Sequence, residues 1–483
     1  MNADRFLKHF IAGEWRNGVG GDVLRNPSDL SDVVTTRVEG TERDIDDAVQ
    51  AGRGAFSIWG RALPQDRARL LQALAARVKT HAESLASELA REEGKLLSDA
   101  RVEALKASEI FGFYAGLAQR LDGAFGSRLA VDGDVIVTRE PHGVVGLVTP
   151  WNAPLAIVAW KLAPALMMGN AVVLKPSEHA PGCVQSLIGL VSEAQVESGA
   201  PPGLVNMVHG GGVAGAALAG HPLLDALSFT GSLATGRRIA AMAAGRLLPL
   251  QLELGGKNAF VVAADADLDQ AVRLCIAGAF LGAGQRCTAT SRIIVEEAVA
   301  SAFSERMADA VKALKVGASD ASGVHLGPLI SANAVDRVAR MVAAGRSSGA
   351  SDIAEGSVTA TTRGHYVAPR LLKDDNPDSA LNQEEIFGPV ASIIRVPDLY
   401  AAIRVSNGTS FGLSSGIATR SIATARRFRR ESIAGIVAVN QTTSGADMHA
   451  PFEGTRLSGY GGAEQGVEAP RFFSRGKTTY LAD

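Results

Sequence analysis

The chain has few cysteines, no excess of charge of either sign and no long apolar run. Its three cysteines, Cys183, Cys275 and Cys287, lack the short spacings of a zinc site or a disulfide framework. Lysine plus arginine (48) nearly balances aspartate plus glutamate (50), so no strong field attracts nucleic acid or an anionic membrane. No apolar run reaches the ~18 residues of a membrane span, and the N-terminus does not resemble a signal peptide. We therefore expect a soluble cytoplasmic protein with reduced thiols, no metal, and neither nucleic acid nor membrane as a partner.

The length and patterning of the chain predict an α/β protein with more than one structural unit. At 483 residues the chain is longer than a single hydrophobic core usually grows. Between residues 143 and 243, short apolar runs such as GVVGLVT and ALSFT alternate with helical stretches, a pattern typical of parallel sheets covered on both faces. A second α/β region is expected to start near LQLELGG (250–256) and NAFVVA (258–263), with further strands at 391–396 and 435–440. We predict two doubly wound parallel-sheet domains.

Outside these regions, helices and an isolated β element are predicted. Pro64 opens an amphipathic helical pattern that continues to Leu89, and a second helix is predicted over about 102–121. The segment SRLAVDGDVIVTREP alternates apolar and polar residues around Asp132-Gly133, which indicates a β-hairpin. The tail RGKTTYLA (475–482) predicts one last strand.

A candidate nucleophile lies in GAGQRCTATSR (282–292), where Cys287 follows a glycine-rich stretch and Arg286. A nearby cation and exposed backbone amides would lower the pKa of this thiol toward ionisation at neutral pH. On this segment alone, the alternative of an inert buried cysteine stays open.

Two other segments place polar side chains at predicted strand ends. Glu253 in LELGGKN follows an apolar strand, and a carboxylate there would face the crevice where α/β proteins bind ligands, as a general base would. Asn152 in TPWNAPL (149–155) offers an amide donor of the kind that a developing oxyanion needs. The alternatives are an N-cap or salt bridge for Glu253 and an Asx-turn for Asn152.

Together, LELGGK, the GQ-x-C segment and the asparagine at the strand end resemble the aldehyde dehydrogenase superfamily over essentially the whole chain. The resemblance implies NAD(P)-dependent oxidation of an aldehyde to a carboxylate. Cys287 would attack the aldehyde carbon, while Asn152 and the Cys287 backbone N–H hold the oxyanion. Glu253 matches the base that activates water to hydrolyse the thioester. Glu464, in GAEQG, matches a glutamate that many members use as a proton relay.

The resemblance also indicates where a dinucleotide would bind. HGGGVAG satisfies G-x-G-x-x-G from Gly210, but no acidic residue ends a following strand at the expected distance, so we interpret it as a loop. In FTGSLATG (229–236), Gly231 and Ser232 open a helix whose free N–H groups can receive the pyrophosphate. Residues from these two segments and from three other predicted strand ends complete this side of the predicted contact set: Thr149, Pro150, Trp151, Ser177, Gly210, Phe229, Leu254 and Gly255.

The resemblance implies one carboxylate beside the adenosine ribose of the dinucleotide and another beside the nicotinamide ribose. In VVLKPSE, Lys175 and Glu178 match the family's contacts to the adenosine ribose hydroxyls, and a carboxylate there disfavours a 2′-phosphate. We therefore expect NAD to be preferred, with NADP possible. In EEIFGPV, Glu385 matches the ribose-binding carboxylate on the nicotinamide side, and Phe387 matches a residue beside the nicotinamide ring.

Motif details such as GQRCTATSR, FGLSSGIAT and SGYG-x-x-EQG look most like 2-oxoglutarate semialdehyde (2,5-dioxopentanoate) dehydrogenases, although FGLSSG also occurs in relatives acting on aromatic aldehydes such as salicylaldehyde. For an acidic substrate, Arg286 is the candidate cation, or else it bonds backbone carbonyls. In PFEGTR, Glu453 replaces a glycine, which would disfavour an anionic substrate. Ala153, where a bulkier aromatic is common, would admit a ring, and Thr288 is a further candidate substrate contact.

Two other function classes were weighed against this one. Retention of Glu253 favours hydrolysis over transfer of the acyl group to CoA. The intact set of Cys287, Asn152 and Glu253 argues against a catalytically silent relative.

The resemblance further implies how the chain divides. Residues 1–120 and 142–252 would form the NAD(P)-binding domain, and residues 253–464 the catalytic domain. The hairpin at 121–141 and the tail at 465–483 would form a small β oligomerisation element that pairs across subunits in a homodimer or homotetramer.

Overall fold

The protein alternates strands and helices along residues 6–120 and 123–482, which are the residues that the computed structural model describes. The strands are β1 (Lys8–Ile11), β2 (Glu14–Asn17), β3 (Val19–Asn26), β4 (Asp29–Glu39), β5 (Ala124–Ser127), β6 (Asp134–Pro141), β7 (Val144–Val148), β8 (Ala171–Lys175), β9 (Val205–Met207), β10 (Ala226–Thr230), β11 (Leu250–Glu253), β12 (Asn258–Val262), β13 (Thr290–Glu296), β14 (Lys315–Val316), β15 (Ser351–Glu355), β16 (Ser357–Val358), β17 (Arg370–Lys373), β18 (Val390–Val396), β19 (Phe411–Gly412), β20 (Ser414–Ala418), β21 (Ile436–Val439), β22 (Thr455–Arg456), β23 (Gly459–Tyr460) and β24 (Ser474–Leu481). The helices are α1 (Glu42–Trp59), α2 (Pro64–Thr80), α3 (Ala82–Glu93), α4 (Leu97–Leu117), α5 (Pro154–Met168), α6 (Pro181–Ser198), α7 (Gly212–Gly220), α8 (Leu233–Ala244), α9 (Leu268–Ala279), α10 (Glu297–Lys312), α11 (Ala332–Ser347), α12 (Ala380–Gln383), α13 (Leu399–Ser406), α14 (Ile422–Glu431) and α15 (Ala469–Phe472).

The first large sheet has the strand order β2-β1-β9-β8-β7-β10-β11-β23. Its central strands, from β9 to β11, run parallel. Every residue of β7, β8 and β10 is buried, because helices cover both faces of the sheet. Strands and helices lie close to where the apolar runs between residues 143 and 243 predicted them. The first of the two predicted parallel sheets is confirmed.

The second large sheet has the order β15-β17-β18-β13-β12-β20-β21 and is parallel apart from β15 at its edge. NAFVVA forms β12 of this sheet, as predicted, but the expectation that LQLELGG also belongs to this region is wrong. That segment forms β11, which pairs with β10 in the first sheet, from Leu227 with Leu250 to Thr230 with Glu253. The chain crosses to the second sheet only after the following glycines. The division of domains at 252/253 stays a prediction.

The pattern from Pro64 to Leu89 forms two helices, α2 and α3, instead of the single predicted one. His81 joins them with φ −101° and ψ 12°, outside the helical range, so the axis changes direction while both apolar faces stay buried. The next helix, α4, begins at Leu97, earlier than predicted, and ends at Leu117. Position 121, where it was expected to end, lies outside the described residues.

The hairpin and the tail form a separate small sheet with the order β24-β6-β5. The tail strand β24 pairs with β6 of its own chain, from Ser474 with Pro141 to Leu481 with Asp134. The predicted hairpin and tail strand are therefore confirmed as elements, and their pairing across subunits stays a prediction. Residues 121, 122 and 483 of the predicted oligomerisation element lie outside the described residues.

Among the helices in the described ranges, none is both long and apolar enough to cross a membrane.

Candidate active site

A cavity of about 170 Å³ lies where the carboxyl ends of β7, β10 and β11 face the segment that precedes β13. The three candidate catalytic residues Asn152, Glu253 and Cys287 all line it. The structure therefore brings together side chains that are far apart in the sequence. The full lining is Pro150, Trp151, Asn152, Ile157, Trp160, Thr230, Gly231, Ser232, Glu253, Leu254, Gly255, Cys287, Arg337, Glu385, Phe387 and Phe452.

The backbone on both sides of Cys287 is tightly fixed. Gly282, Ala283 and Gly284 all have positive φ (68°, 55° and 66°), which forms a tight turn before the cysteine. Such a backbone costs an alanine on the order of 1 kcal/mol, so the surrounding structure must enforce it. Asn258, at the start of β12, donates from Nδ2 to the Cys287 carbonyl oxygen at 2.7 Å. These contacts tie the candidate nucleophile to the second sheet.

The pKa of the Cys287 thiol is raised above its ordinary value. The side chain is half-buried, and desolvation, followed by the charge of Glu253, opposes formation of the thiolate. The expectation that Arg286 lowers this pKa is wrong. Arg286 does not line the cavity, and its guanidinium lies 3.5 Å from the Asp99 carboxylate. The thiol must therefore pass its proton to a base before it can act as a nucleophile.

Asn152 lies in the loop between β7 and α5. Its Nδ2 donates to the Gln285 carbonyl oxygen at 3.1 Å, so the amide is directed at the segment that holds Cys287. Gln285 is itself buried, and its side chain bonds the backbone of Pro328 and Ile330. The amide is thus held by a rigid neighbour, as a fixed donor requires.

Glu253 ends β11 with 2% of its surface exposed. Burial, followed by the charge of Glu464, raises the pKa of the Glu253 carboxyl well above its usual value. Among the described residues, no group hydrogen-bonds Glu253 Oε1. A carboxyl group with a raised pKa and a free oxygen in a cavity can accept a proton near neutral pH.

Glu464 lies behind the cavity and does not line it. Its carboxylate accepts hydrogen bonds from Trp160 Nε1 at 2.9 Å and from Thr230 Oγ1 at 2.8 Å, and it forms a close ion pair with Lys161. Lys161, which is fully buried in α5, also donates to Ser228 Oγ at 2.6 Å. Lys161 is not among the residues predicted from the sequence, although a lysine inside the apolar run AIVAWKLAPALMM is itself a signal, since lysine is rarely buried without a partner.

The predicted cofactor contacts follow the carboxyl edge of the first sheet. Lys175 ends β8, Ser177 and Glu178 follow it, and Gly210 comes after β9. Lys175 Nζ donates to the Gly210 carbonyl oxygen at 2.8 Å and lies 3.7 Å from the Glu178 carboxylate. The interpretation of HGGGVAG as a loop holds only for its beginning, because α7 starts at Gly212.

Other predicted cofactor contacts follow β7, β10 and β11, and the segment after β10 leads into α8. Ser232 is the N-cap of α8 and accepts a hydrogen bond from the Thr235 backbone N–H. Gly236 faces Leu254, and a Cβ there would lie 2.6 Å from that side chain, so glycine allows the close approach. Thr149 and Phe229 are buried beneath the cavity and do not line it. The other predicted contacts on this side, Pro150, Trp151, Gly231, Ser232, Leu254 and Gly255, line the cavity.

The second sheet contributes Glu385 and Phe387 to the same cavity. Glu385 accepts a hydrogen bond from the Gly256 N–H at 3.1 Å. A Cβ at Gly255 would lie 2.2 Å from the Glu385 carboxylate, so this glycine makes room for it. Phe387 has φ 54° and meets Trp151 edge-on, with the ring centroids 5.6 Å apart.

None of the four predicted substrate contacts lines the cavity. Arg286 pairs with Asp99, as described above. Ala153 is the N-cap of α5, and Thr288 is buried and lends its carbonyl oxygen to neighbouring hydroxyls. Glu453 is exposed. The reason is common to all four: neighbouring backbone positions point their side chains in different directions, so proximity in sequence does not ensure that they face the cavity.

Aromatic side chains line the cavity where the four predicted substrate contacts do not. Trp160 stacks on Phe452 with 5.6 Å between ring centroids and 28° between planes, and Ile157 lies beside them. Arg337 also lines the cavity, where it donates to the carbonyl oxygens of Ile386 and Phe387. These residues are not among the site residues predicted from the sequence. Phe452 lies in the PFEGTR segment, but side-chain direction gives no signal there.

No group of three or more histidine, cysteine or acidic side chains could hold a metal ion within residues 6–120 and 123–482.

Comparison with known proteins agrees with this geometry. Residues 22–479 match the aldehyde dehydrogenase family. The chain is 36% identical over 479 residues to an alpha-ketoglutaric semialdehyde dehydrogenase of Bacillus subtilis, covering 98% of this chain and 97% of that protein. It is 34% identical to a 2,5-dioxopentanoate dehydrogenase of Saccharolobus solfataricus, covering 97% and 98%.

Among solved structures, the betaine aldehyde dehydrogenase of Staphylococcus aureus in complex with NAD+ superposes with a TM-score of 0.93 at 30% identity, covering 98% of this chain and 94% of that one. The parallel sheets, the cavity at their carboxyl ends and these relatives lead to one assignment. The chain belongs to the aldehyde dehydrogenase family and is an NAD(P)-dependent aldehyde dehydrogenase.

Proposed function

We propose that the protein oxidises its aldehyde through a thioester on Cys287, which water then hydrolyses. The Cys287 thiol releases its proton to solvent water, its sulfur adds to the aldehyde carbon, and Asn152 Nδ2 with the Cys287 backbone N–H holds the resulting oxyanion. Bound NAD(P)+ would accept the hydride that leaves this carbon, and the C=O bond that re-forms makes the adduct a thioester. Glu253 then takes a proton from water as the water attacks the thioester, which releases the carboxylic acid and restores the thiol.

One observation carries this proposal: the free Oε1 of Glu253 and the thiol of Cys287 line the same cavity as the Asn152 amide. Glu464 and Lys161 stand behind Glu253 as a buried charge pair through which a proton could leave. The free N–H groups at the start of α8 and the buried Glu385 carboxylate fit the pyrophosphate and ribose of a dinucleotide.

The test is NADH formation combined with intact-mass analysis of the rapidly quenched enzyme. The wild type should form NADH and show a transient acyl adduct on Cys287. Cys287→Ala should show neither, while Cys275→Ala, which removes a buried thiol far from the cavity lining, should keep both. Turnover by Cys287→Ala, or release of acyl-CoA in place of the acid when CoA is added, would contradict the proposal.

For the substrate we propose 2-oxoglutarate semialdehyde. The support is the naming of full-length relatives at 34% to 36% identity as dehydrogenases of this semialdehyde. The measurement is kcat/KM for this aldehyde against succinate semialdehyde and short aliphatic aldehydes, with the highest value expected for the first.

An aromatic aldehyde of the salicylaldehyde or benzaldehyde type is the second candidate. The specific observation is the apolar wall formed by Ile157, Trp160 and Phe452. Arg337, the cationic side chain in the lining, is already bonded to backbone carbonyls. Activity confined to aromatic aldehydes in the same assay would favour this candidate over the first.

NAD is proposed as the preferred cofactor, with NADP accepted. Glu178 beside Lys175 supports this, because a carboxylate accepts hydrogen bonds from ribose hydroxyls and repels a 2′-phosphate. The ratio of kcat/KM for the two cofactors should favour NAD+, and Glu178→Gln should shift the ratio toward NADP+.

A homodimer or homotetramer formed through the β24-β6-β5 sheet is also proposed. Phe125 is 72% exposed and Tyr480 65% exposed on this sheet, and its edge strands are open to pairing. Light scattering after gel filtration should give a multiple of the 50.1 kDa chain mass.

A further inference from the structure

Three charged side chains form a cluster beneath the loop that carries Asn152. Lys95 lies between two carboxylates, Glu93 at 3.0 Å and Glu103, with which it makes a close hydrogen bond. The exposed fractions of the three side chains are 11% for Lys95, 4% for Glu93 and 8% for Glu103. Charged groups are rarely removed from water to this extent unless each has a specific partner.

The cluster binds the backbone of the Asn152 loop at two places. Lys95 Nζ donates to the Asn152 carbonyl oxygen at 2.7 Å. Glu103 Oε1 accepts from the Leu155 N–H at 2.9 Å and from the Ala156 N–H at 3.4 Å, so it caps the first turn of α5. The loop is thus held at the residue that carries the amide and at the start of the helix that follows.

Burial and the neighbouring charges shift the pKa values of Lys95 and Glu93. The two carboxylates raise the pKa of Lys95 above its ordinary value despite burial, so the lysine stays charged. Burial raises the pKa of Glu93 to about 8 against the opposing charge of Lys95. Of the three side chains, Lys95 and Glu103 are the two that contact the loop and the first turn of α5.

We propose that Lys95 and Glu103 are positioning residues that fix the Asn152 amide donor against the Cys287 segment. This inference rests on the proposed function of Asn152. A buried ion pair is seldom more stabilising than well-packed apolar residues, so stability alone does not account for this cluster. Its geometry does, because Lys95 holds the Asn152 carbonyl oxygen and Glu103 holds the first turn of α5, while Gln285 receives the Asn152 side chain.

The central experiment is a double-mutant cycle with Lys95→Met and Asn152→Ala. Asn152→Ala removes the amide donor and keeps the carbonyl oxygen that Lys95 binds. Lys95→Met should lower kcat by about 10- to 100-fold, as a small misplacement of a catalytic group does, with little change in KM for NAD+. In the Asn152→Ala background the same substitution should lower kcat by less than about threefold, because no donor is left to misplace.

Glu103→Gln is the second variant, in case Lys95→Met does not fold. The glutamine can still accept from the Leu155 N–H. The loss of kcat that Glu103→Gln causes should likewise be smaller in the Asn152→Ala background than in the wild type. The matched control is Glu92→Gln, which removes a buried carboxylate that caps α6 by accepting from the N–H groups of Gly182 and Cys183. It should lower Tm as the cluster variants do but keep kcat within about twofold.

The outcomes separate the two proposals. Equal fold-losses in both backgrounds, or an unchanged kcat in folded Lys95→Met, would overturn the positioning role. If Asn152→Ala itself leaves kcat unchanged, the proposed role of Asn152 fails first and the positioning role falls with it.

Discussion

Replacing Glu253 with glutamine should separate the two halves of the proposed reaction. Glutamine has nearly the same shape, and Glu253 Oε1 has no hydrogen-bond partner among the described residues, so the change breaks no contact there. It also removes a carboxylate that repels Glu464. Tm should therefore stay constant or rise.

The expected kinetic loss lies in hydrolysis of the thioester. A positioned general base contributes about 10²- to 10⁴-fold, which corresponds to about 3 to 5 kcal/mol of transition-state stabilisation. Steady-state turnover should fall by this factor, while a burst of NADH equal to the enzyme concentration remains. The Cys287 thiol should become more reactive toward iodoacetamide at a given pH, because the Glu253 charge contributes to its raised pKa.

The pH dependence of thioester hydrolysis should follow the deprotonation of Glu253. Only deprotonated Glu253 can accept the proton from water, so thioester hydrolysis should increase with pH and level off above the pKa of this carboxyl. Because burial and Glu464 raise that pKa, the inflection should lie well above the ordinary value of 4.5. Glu253→Gln should lose this inflection.

The assay is stopped-flow NADH absorbance from pH 5 to 10 at saturating aldehyde and NAD+. Glu453→Gln is the matched control, since it removes an exposed carboxylate that also adds to the raised pKa of Glu253 but has no position in the cavity. It should keep full turnover. Loss of the burst in folded Glu253→Gln would refute the reasoning, because Glu253 would then be needed before the thioester forms.

Three other substitutions test the surroundings of the site. Lys161→Met should lower the free energy of unfolding by about 3 to 5 kcal/mol in urea titration, because it leaves the Glu464 charge buried without its cation. Adding Glu464→Gln should recover part of this loss. A Lys161→Met protein as stable as the wild type would contradict the ion pair. Gly255→Ala should raise KM for NAD+ at least tenfold, since its Cβ would meet the Glu385 carboxylate, and an unchanged KM in initial-rate assays would show that Glu385 can move away. Phe452→Ala should lower kcat/KM for benzaldehyde more than for acetaldehyde, and an equal loss would mean that the stacked pair does not contact the substrate.

The sequence predicted the elements of the fold more reliably than their junctions. Buried parallel strands such as AVVLK are continuous apolar runs, so their positions were visible without the structure. The break at His81 was not, because both helices keep the same apolar spacing across it. The assignment of LQLEL to the first sheet depends on which strand it pairs with, and a local pattern carries no information on pairing.

In the candidate site, the positions of motif residues at strand ends could be predicted from the sequence, whereas the burial and neighbouring charges that set their pKa values could not. The strand-end positions of Glu253 and Asn152 made them candidates, and the resemblance to the family gave them their expected roles. The raised pKa of the Cys287 thiol depends on burial and on carboxylates distant in sequence, while the adjacent Arg286 points elsewhere. Lys95 could not be identified either, since its role depends on contact with a loop 57 positions away.

The path of the chain after β11 has a mechanical consequence. Glu253 ends a strand of the first sheet, whereas Cys287 is anchored by Asn258 to the second sheet. The proposed base and the proposed nucleophile therefore belong to different halves of the molecule, so the distance between them depends on how closely those halves pack together. A substitution that loosens this docking would act as a catalytic mutation without touching a catalytic group, and on heating the enzyme would lose activity before either sheet melts.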